Sequence, residues 1–303
     1  MNFASVNGIV VPAADARVSV LDNGFAFGDS VYEVMRTYGR SPFEPGRHFR
    51  RLRASAARLG FEIPHSDAEL LGQVEALVAK SEPGESYVRI VVSRGVGDCS
   101  YDFSRIERPT VVMIQKPLAA YPARHYEEGI RIAAVDVRRN HPRALDPAIK
   151  SSNLLNNILA VREAQARGCD EPLLLNQDGF LAEGASTNLF IVWEGALLTP
   201  PLSAGILAGI TREVVLELAA SLGTPCHQKP LHLDALLGAD EAFMTSTTRE
   251  IVPVHKVDDE LIGDGRPGPY TCQLMDAFHA YAPSHCGQAA LTAAAIPSAR
   301  TSG

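Results

Sequence analysis

Residues 148–164 read A-I-K-S-S-N-L-L-N-N-I-L-A-V-R-E-A, and Lys150 is the chemical centre of this stretch. After the lysine, Leu154, Leu155, Ile158, Val161 and Ala164 recur at helical spacing, and Gly168 supplies a stop. The spacing predicts a helix just downstream of Lys150, so that the helix holds the lysine rather than a free loop. Most lysines are solvated surface charges. One that is fixed and kept partly from water can lose its proton near neutral pH, and the resulting amine attacks carbonyl groups to form imines.

Upstream of this stretch, 9–11 and 16–21 read as short strands, the two glycines and acidic residues of 22–29 as tight turns, and 31–38 as a strand. A helix over 46–60 carries Phe49, Leu52, Ala56 and Leu59 on one face, with arginines elsewhere. Ser66 and Glu69 have the spacing of a capping box for a second helix bearing Leu70, Val74, Leu77 and Val78. Strands at 87–93 and 110–115 complete an N-terminal α+β domain over 1–115, and the Pro- and Ala-rich 116–125 reads as a linker. Downstream, strands at 130–137, 172–175, 188–192, 196–199 and 241–245 and helices at 209–223 and 270–279 make a larger α/β domain over 126–283. The expected fold class is therefore a two-domain α/β (α+β) protein. Residues 284–303, rich in Ala, Ser, Gly and Thr, read as a disordered tail.

Composition narrows the function. Of 303 residues 46% are hydrophobic and 21% charged, which suits a folded globular enzyme. A net charge of -7, with no basic block beyond 47–53, argues against nucleic acid or an anionic membrane as partner. A small-molecule substrate is expected instead. No apolar run approaches the ~20 residues of a membrane span, and the first residues lack signal-peptide features, so a cytoplasmic protein is expected. The five cysteines, at 99, 169, 226, 272 and 286, show no C-x-x-C spacing; free thiols are expected, and no metal site.

Six motifs occur together: D-N-G-F-A-F-G-D-S-V-Y-E at 22–33, R-H-F-R-R-L at 47–52, the lysine stretch, E-G-A-S-T-N-L-F at 183–190, G-I-L-A-G-I-T-R at 205–212 and T-S-T-T-R-E-I-V-P-V at 245–254. In this order they resemble the class IV (fold-type IV) pyridoxal-phosphate enzymes, which include branched-chain and D-amino acid aminotransferases and aminodeoxychorismate lyases. The likeness runs from about residue 6 to about residue 282. It implies pyridoxal 5'-phosphate as cofactor, with Lys150 bonded to it and shuttling a proton at the substrate α-carbon. Glu183 would pair with the pyridine nitrogen, and Arg51 would grip the phosphate with its planar fork. Gly209, Ile210 and Thr211 open a helix whose N-terminal N–H groups suit an anion, and Ser246 and Thr247 would add a second set of donors. His48 and His255 read as structural.

The resemblance also names substrate-binding candidates: Phe27, Tyr32, Arg36, Tyr87, Arg89, Thr248 and Arg249. Tyr87 and Arg89 look like the Y-x-R of the branched-chain group, and strand alternation puts both on one face. The Arg and His that form a carboxylate trap in D-amino acid enzymes are replaced by Cys99 and Tyr101. Against this, Leu155 and Phe27 stand where branched-chain enzymes have tyrosines, while Tyr32 and the K-S-S-N-L-L run look D-specific. The expectation is a transaminase acting on branched-chain or other apolar L-amino acids, with 2-oxoglutarate or another 2-oxo acid as acceptor. D-amino acid transaminase, aminodeoxychorismate lyase and (R)-amine transaminase stay open. A homodimer with shared active sites is implied by the same resemblance.

Overall fold

The structure, a computed structural model, describes residues 2–106 and 108–294. The chain divides into two compact units. Unit 1 takes the chain up to Ala119, residues 149–152 and the chain from Tyr281 onward; unit 2 takes 120–148 and 153–280.

Unit 1 is a six-stranded antiparallel sheet carrying helices. Its strands are β1 (Phe3–Val6), β2 (Ile9–Pro12), β3 (Ser30–Tyr38), β4 (Ser41–Pro42), β5 (Ser86–Ser93) and β6 (Thr110–Pro117), ordered β2-β1-β6-β5-β3-β4. Alternation along β3 buries Val31, Glu33, Met35 and Thr37 and leaves Tyr32, Val34, Arg36 and Tyr38 half-buried on the other face. The buried face packs against Phe49, Leu52 and Ala56 of α2 (Pro45–Arg58) and Leu70, Val74 and Leu77 of α3 (Asp67–Ala79). The capping box is present at α3: Glu69 N donates to Ser66 Oγ over 3.3 Å, and Ser66 N donates to Glu69 Oε2 over 2.7 Å. Residues 22–29 form a short helix, α1 (Asn23–Phe27), which Asp22 caps and Gly28 ends in the left-handed region at φ 68°. The strand expected at 16–21 is absent: the segment pairs with no described strand, and Val18, Val20 and Leu21 are exposed. Alternation without a neighbouring strand to pair with makes no sheet.

Unit 2 contains α4 (Arg124–Glu127), β7 (Ile130–Ala134), α5 (Leu155–Ala166), β8 (Glu171–Leu175), β9 (Leu181–Gly184), β10 (Asn188–Trp193), β11 (Ala196–Thr199), α6 (Ile210–Ser221), β12 (Cys226–Gln228), α7 (Leu233–Leu237), β13 (Glu241–Ser246), β14 (Glu250–Val257), β15 (Glu260–Leu261) and α8 (Pro269–Tyr281). Strand pairing runs β10-β13-β14-β7-β8-β9, and β9 pairs back onto β10, so six strands close into a ring. The closing rung is one residue pair, Asn188 opposite Glu183. Leu173, Leu181, Leu189, Ile191, Met244 and Val252 belong to one buried cluster contributed by these strands.

Helix α5 turns out differently from the sequence reading. Its buried residues are Ala160 and Ala164, in a cluster with Ala133 and Leu174, whereas Leu155 is 72% exposed and Ile158 and Leu159 are also exposed. Two alanines let the helix lie close to β7 and β8, and that close approach turns the large apolar side chains outward.

The domain boundaries shift as well. The change of unit falls at 119/120, inside the expected linker, but Lys116 and Pro117 end β6 and Arg124 opens α4. The expected disordered tail is partly folded: α9 (Gly287–Ala294) packs on α2 and α3, and Leu291 rests against the unit 1 core. This end is held by Tyr281, whose O–H donates to Glu44 Oε1 over 2.5 Å, and by Glu44 N donating to His285 O over 2.9 Å. The remainder of the expected tail, 295–303, lies outside the described residues. Among the described residues no helix is long and apolar enough to cross a membrane. Deleting residues 287–303 uncovers buried Ala290 and the site of Leu291, and should cost about 2 kcal/mol of stability, the worth of one buried leucine. Calorimetry of the truncated chain should show a lower Tm; an unchanged Tm would contradict this packing.

Candidate active site

Lys150 is held by unit 1, not by α5, which begins five residues later. The segment 149–152 lies alongside the start of β3: Tyr32 N donates to Lys150 O over 2.9 Å, Ser152 N donates to Ser30 O over 2.9 Å, and Ser151 bridges Val31. Lys150 N donates to Ser55 Oγ of α2 over 3.1 Å. With its backbone fixed on both sides, the side chain lays Nζ over the Tyr32 ring, 4.6 Å from the centroid. Arg89 lies over the same ring at 4.0 Å, and Arg36 over Tyr38 at 4.3 Å. In the β3–β5 register Arg36 faces Tyr87 and Val34 faces Arg89. One half-buried sheet face therefore gathers Tyr32, Val34, Arg36, Tyr87, Arg89 and Val91, which include two cations and no carboxylate. Phe27 lies elsewhere, at the end of α1, with its ring 5.3 Å from that of Tyr101.

Arg51 differs from its neighbours in the arginine run. Arg50 is exposed, and Arg53 pairs with Asp67 near the surface. The Arg51 guanidinium instead donates from Nε to Glu33 Oε1 over 2.7 Å and from Nη2 to Glu33 Oε2 over 2.8 Å. His48 Nδ1 donates to the same Glu33 Oε2 over 2.7 Å, and both Glu33 and His48 are completely buried. Burial alone would raise the Glu33 pKa, but Arg51 and His48 outweigh it and hold the carboxyl well below its usual range. For His48 burial is the largest cause and lowers its pKa; Glu33 opposes without reversing it. His48 reads as structural from sequence, and Glu33 carries no role there.

In unit 2 the Glu183 carboxylate is surrounded by donors. Arg139 Nε donates to Oε1 over 2.8 Å, while Asn188 Nδ2 at 3.2 Å and Leu207 N at 3.0 Å donate to Oε2. Arg139 is itself steadied by Asn156 Oδ1, which accepts from its Nη1 over 3.0 Å. Asn188 also donates to Leu207 O, so it ties Glu183 to the segment that leads into α6. Gly209, the residue before α6, has to be glycine here: a Cβ would fall 1.9 Å from Asn188 Oδ1. Sequence reasoning missed Arg139, although it sits in the R-R-N-H-P run just upstream of the lysine stretch. Nothing in an isolated arginine signals a partner 44 residues away.

Among the described residues no N-cap side chain takes the first N–H groups of α6, since the N-cap position is Gly209. Thr211 Oγ1 and Ser246 Oγ are buried and have no hydrogen-bond partner among the described residues. Orphaned hydroxyls beside an uncapped helix N-terminus are the donor set a phosphate requires, and pyridoxal 5'-phosphate therefore fits these residues. Thr247 and Thr248 occupy the turn between β13 and β14. Arg249, expected as a substrate ligand, is committed within that turn: its Nη1 donates to buried Glu171 Oε2 over 3.0 Å and its Nη2 to Ser186 Oγ over 3.2 Å. Burial opposes its charge, yet Glu171 more than compensates and raises the Arg249 pKa above its ordinary value. The pair fastens the 246–249 turn to the loop that follows Glu183.

Comparison with known proteins decides the family. The pattern described as amino-transferase class IV matches residues 30–257. The chain belongs to the class IV aminotransferases. It is an enzyme of the fold-type IV architecture, and pyridoxal-phosphate dependence is the rule of that family. Among its relatives, a protein of Methanocaldococcus jannaschii provisionally named a branched-chain-amino-acid aminotransferase is 41% identical over 273 residues, covering 90% of this chain and 94% of the relative. A D-alanine aminotransferase of Bacillus licheniformis is 34% identical over 272 residues, covering 90% and 94%. The crystal structure of the branched-chain amino acid aminotransferase of Escherichia coli superposes with a TM-score of 0.87 at 32% identity, covering 94% of this chain and 96% of that one.

The buried Glu33–His48 pair makes this aminotransferase sensitive to acid. Both pKa values are lowered on folding, so the stability each contributes is present above its unfolded value and is lost as pH falls. The loss begins near 6.5 for His48 and near 4.5 for Glu33, at about 1.4 kcal/mol for each tenfold displacement of the protonation equilibrium. Tm should fall as pH is lowered from 7 to 5, and less steeply in His48→Gln. Equal slopes in thermal melts of the two proteins would contradict the assignment.

Proposed function

We propose that this class IV aminotransferase uses pyridoxal 5'-phosphate to move an amino group from a branched-chain or other apolar L-amino acid to a 2-oxo acid such as 2-oxoglutarate. When bound, the cofactor supplies a carbonyl that captures amines and an electron-withdrawing ring. Lys150 holds it covalently through Nζ and then carries the proton that leaves and returns at the substrate α-carbon. Its fixed backbone leaves only the side chain to move, which limits the reorganisation needed at each transfer. Glu183 accepts the ring N–H, with its own orientation set by Arg139, Asn188 and Leu207 N. Thr211, Ser246 and Thr247, the N–H groups at Gly209 and Ile210, and Arg51 take the phosphate.

The observation that carries the substrate reading is the carboxylate-free face of β3 and β5. Arg36, Arg89, Tyr32 and Tyr87 suit a substrate carboxylate, while Val34 and Val91 suit an apolar side chain. Arg249 serves as a clamp for the turn, and Thr248 is the substrate-side residue within it. A second reading, transfer from D-amino acids, is supported by the D-alanine aminotransferase relative and by the K-S-S-N-L-L run. Visible spectra of the purified protein decide between them on addition of L-leucine, L-glutamate, D-alanine or D-glutamate. Loss of the cofactor band with the L-compounds only is expected; loss with the D-compounds only selects the second reading, and absence of any such band overturns the cofactor assignment.

The protein also acts as a homodimer in this reading. Large apolar side chains stand exposed on both units, among them Phe25 and Tyr101 on unit 1 and Leu155, Ile158 and Leu159 on α5. Light scattering should give twice the chain mass of 32.6 kDa, and Leu155→Asp with Ile158→Asp should shift it towards the monomer. A fully active monomer would refute the shared-site proposal.

A further inference from the structure

The arginine run on α2 contains one member whose charge is rooted in the core. Arg51 side-chain exposure is 13%, whereas the Glu33 carboxylate and the His48 ring below it have none. Burying an anion is costly, and packed apolar residues in its place would often be neutral or stabilising. Stability alone therefore does not account for Glu33 at a core-facing position of β3, between Val31 and Met35. What the buried carboxylate does achieve is geometric. Gripping Nε and Nη2 together fixes the plane and the orientation of the guanidinium. His48 fixes Glu33 in turn from the other side through Nδ1, and because burial keeps its ring neutral it does so without adding a charge.

The second observation is position on the helix. His48, Arg51 and Ser55 follow one another at i, i+3 and i+7 along one face of α2. Ser55 accepts the backbone N–H of Lys150. Arg51 is thus one helical turn, about 5–6 Å between Cβ atoms, from the point where the lysine is anchored. A long side chain with much rotamer freedom to lose is ordered in advance beside the residue that forms the covalent bond.

We propose that Glu33 and His48 are positioning residues that preorganise the Arg51 guanidinium to receive the phosphate of the cofactor. This rests on the pyridoxal-phosphate reading above. The energetic consequence is confined to the phosphate end of the ligand: ordering Arg51 before binding removes a cost that would otherwise be met when the phosphate arrives. Net charge plays little part, because Glu33 and Arg51 cancel.

The test compares pyridoxal 5'-phosphate with pyridoxal, which has the same carbonyl and ring but no phosphate. Affinities for both are measured by fluorescence titration of full-length protein freed of cofactor, for wild type, Glu33→Gln, Glu33→Asp and His48→Gln. Glu33→Gln should weaken pyridoxal 5'-phosphate by about tenfold or more, the loss expected from one charge-assisted interaction, and should leave the pyridoxal affinity within about twofold. Glu33→Asp keeps the charge but draws the anchor back by one methylene, so it should lose the phosphate preference in the same direction if Glu33→Gln does not fold. His48→Gln should cause a smaller loss of the same kind. In an Arg51→Gln background, Glu33→Gln should have no further effect on the ratio of the two affinities. Parallel loss of both ligands, or an unchanged ratio in the Glu33 variants, would overturn the positioning role and leave the cofactor reading intact. Failure of wild type to bind either ligand would overturn both.

Discussion

One rung of strand pairing, Asn188 against Glu183, closes the strand ring of unit 2, and the carboxylate on that rung accepts hydrogen bonds from Arg139, Asn188 and Leu207 N. Closing the sheet and aiming the carboxylate are therefore one event. Because Asn188 also holds Leu207 O, the rung sets where the chain enters α6 and hence where its unclaimed N–H groups lie. The arrangement is intolerant of bulk at Gly209, where a Cβ would meet Asn188. Hydrogen bonds to a charged group are worth about 1.5–3 kcal/mol each, so a displacement there would be felt by both the ring and the site.

The two units solve the same problem in the same way. A buried carboxylate is fastened to one arginine through Nε or an Nη atom and completed by a neutral partner. Glu33 has Arg51 and His48, Glu183 has Arg139 and Asn188, and Glu171 has Arg249 and Thr187. Each pair joins elements distant in sequence. A pair of this kind contributes little net stability for its desolvation cost, but it admits few alternative geometries. Rigidity of placement, more than strength of attraction, is what these residues supply.

Elements defined by local chemistry are legible in the sequence. The Ser66 box, the apolar face of α2 and the start of α6 depend on residues a few positions apart, and the structure contains each of them. What depends on distant partners is not legible. The apolar stripe after Lys150 predicts a buried leucine face, yet the two alanines set the packing of α5 and the leucines face outward. The strand expected at 16–21 has the alternation but no neighbour to pair with. The sequence ties Lys150 to its downstream helix because that helix is adjacent in the chain, while its real anchors, Ser30, Tyr32 and Ser55, lie about a hundred residues earlier. The motif residues Glu183, Gly209 and Thr211 are recognisable, but Arg139, Glu33 and His48, which orient them or their counterparts, carry no pattern of their own.

Unit 1 is assembled from three separate pieces of chain, and this imposes an order on its making. Its sheet can form once β6 has been synthesised, but the lysine segment arrives later, and α9, which covers part of α2, later still. From the end of β6 at Pro117 to the start of α9 at Gly287 the ribosome must add about 170 residues, which takes roughly 10–30 s at ordinary translation rates. During that interval the surface of α2 later covered by α9 is open and apolar. The nascent chain therefore carries a sticky intermediate throughout that interval, and α9 is the element that seals it.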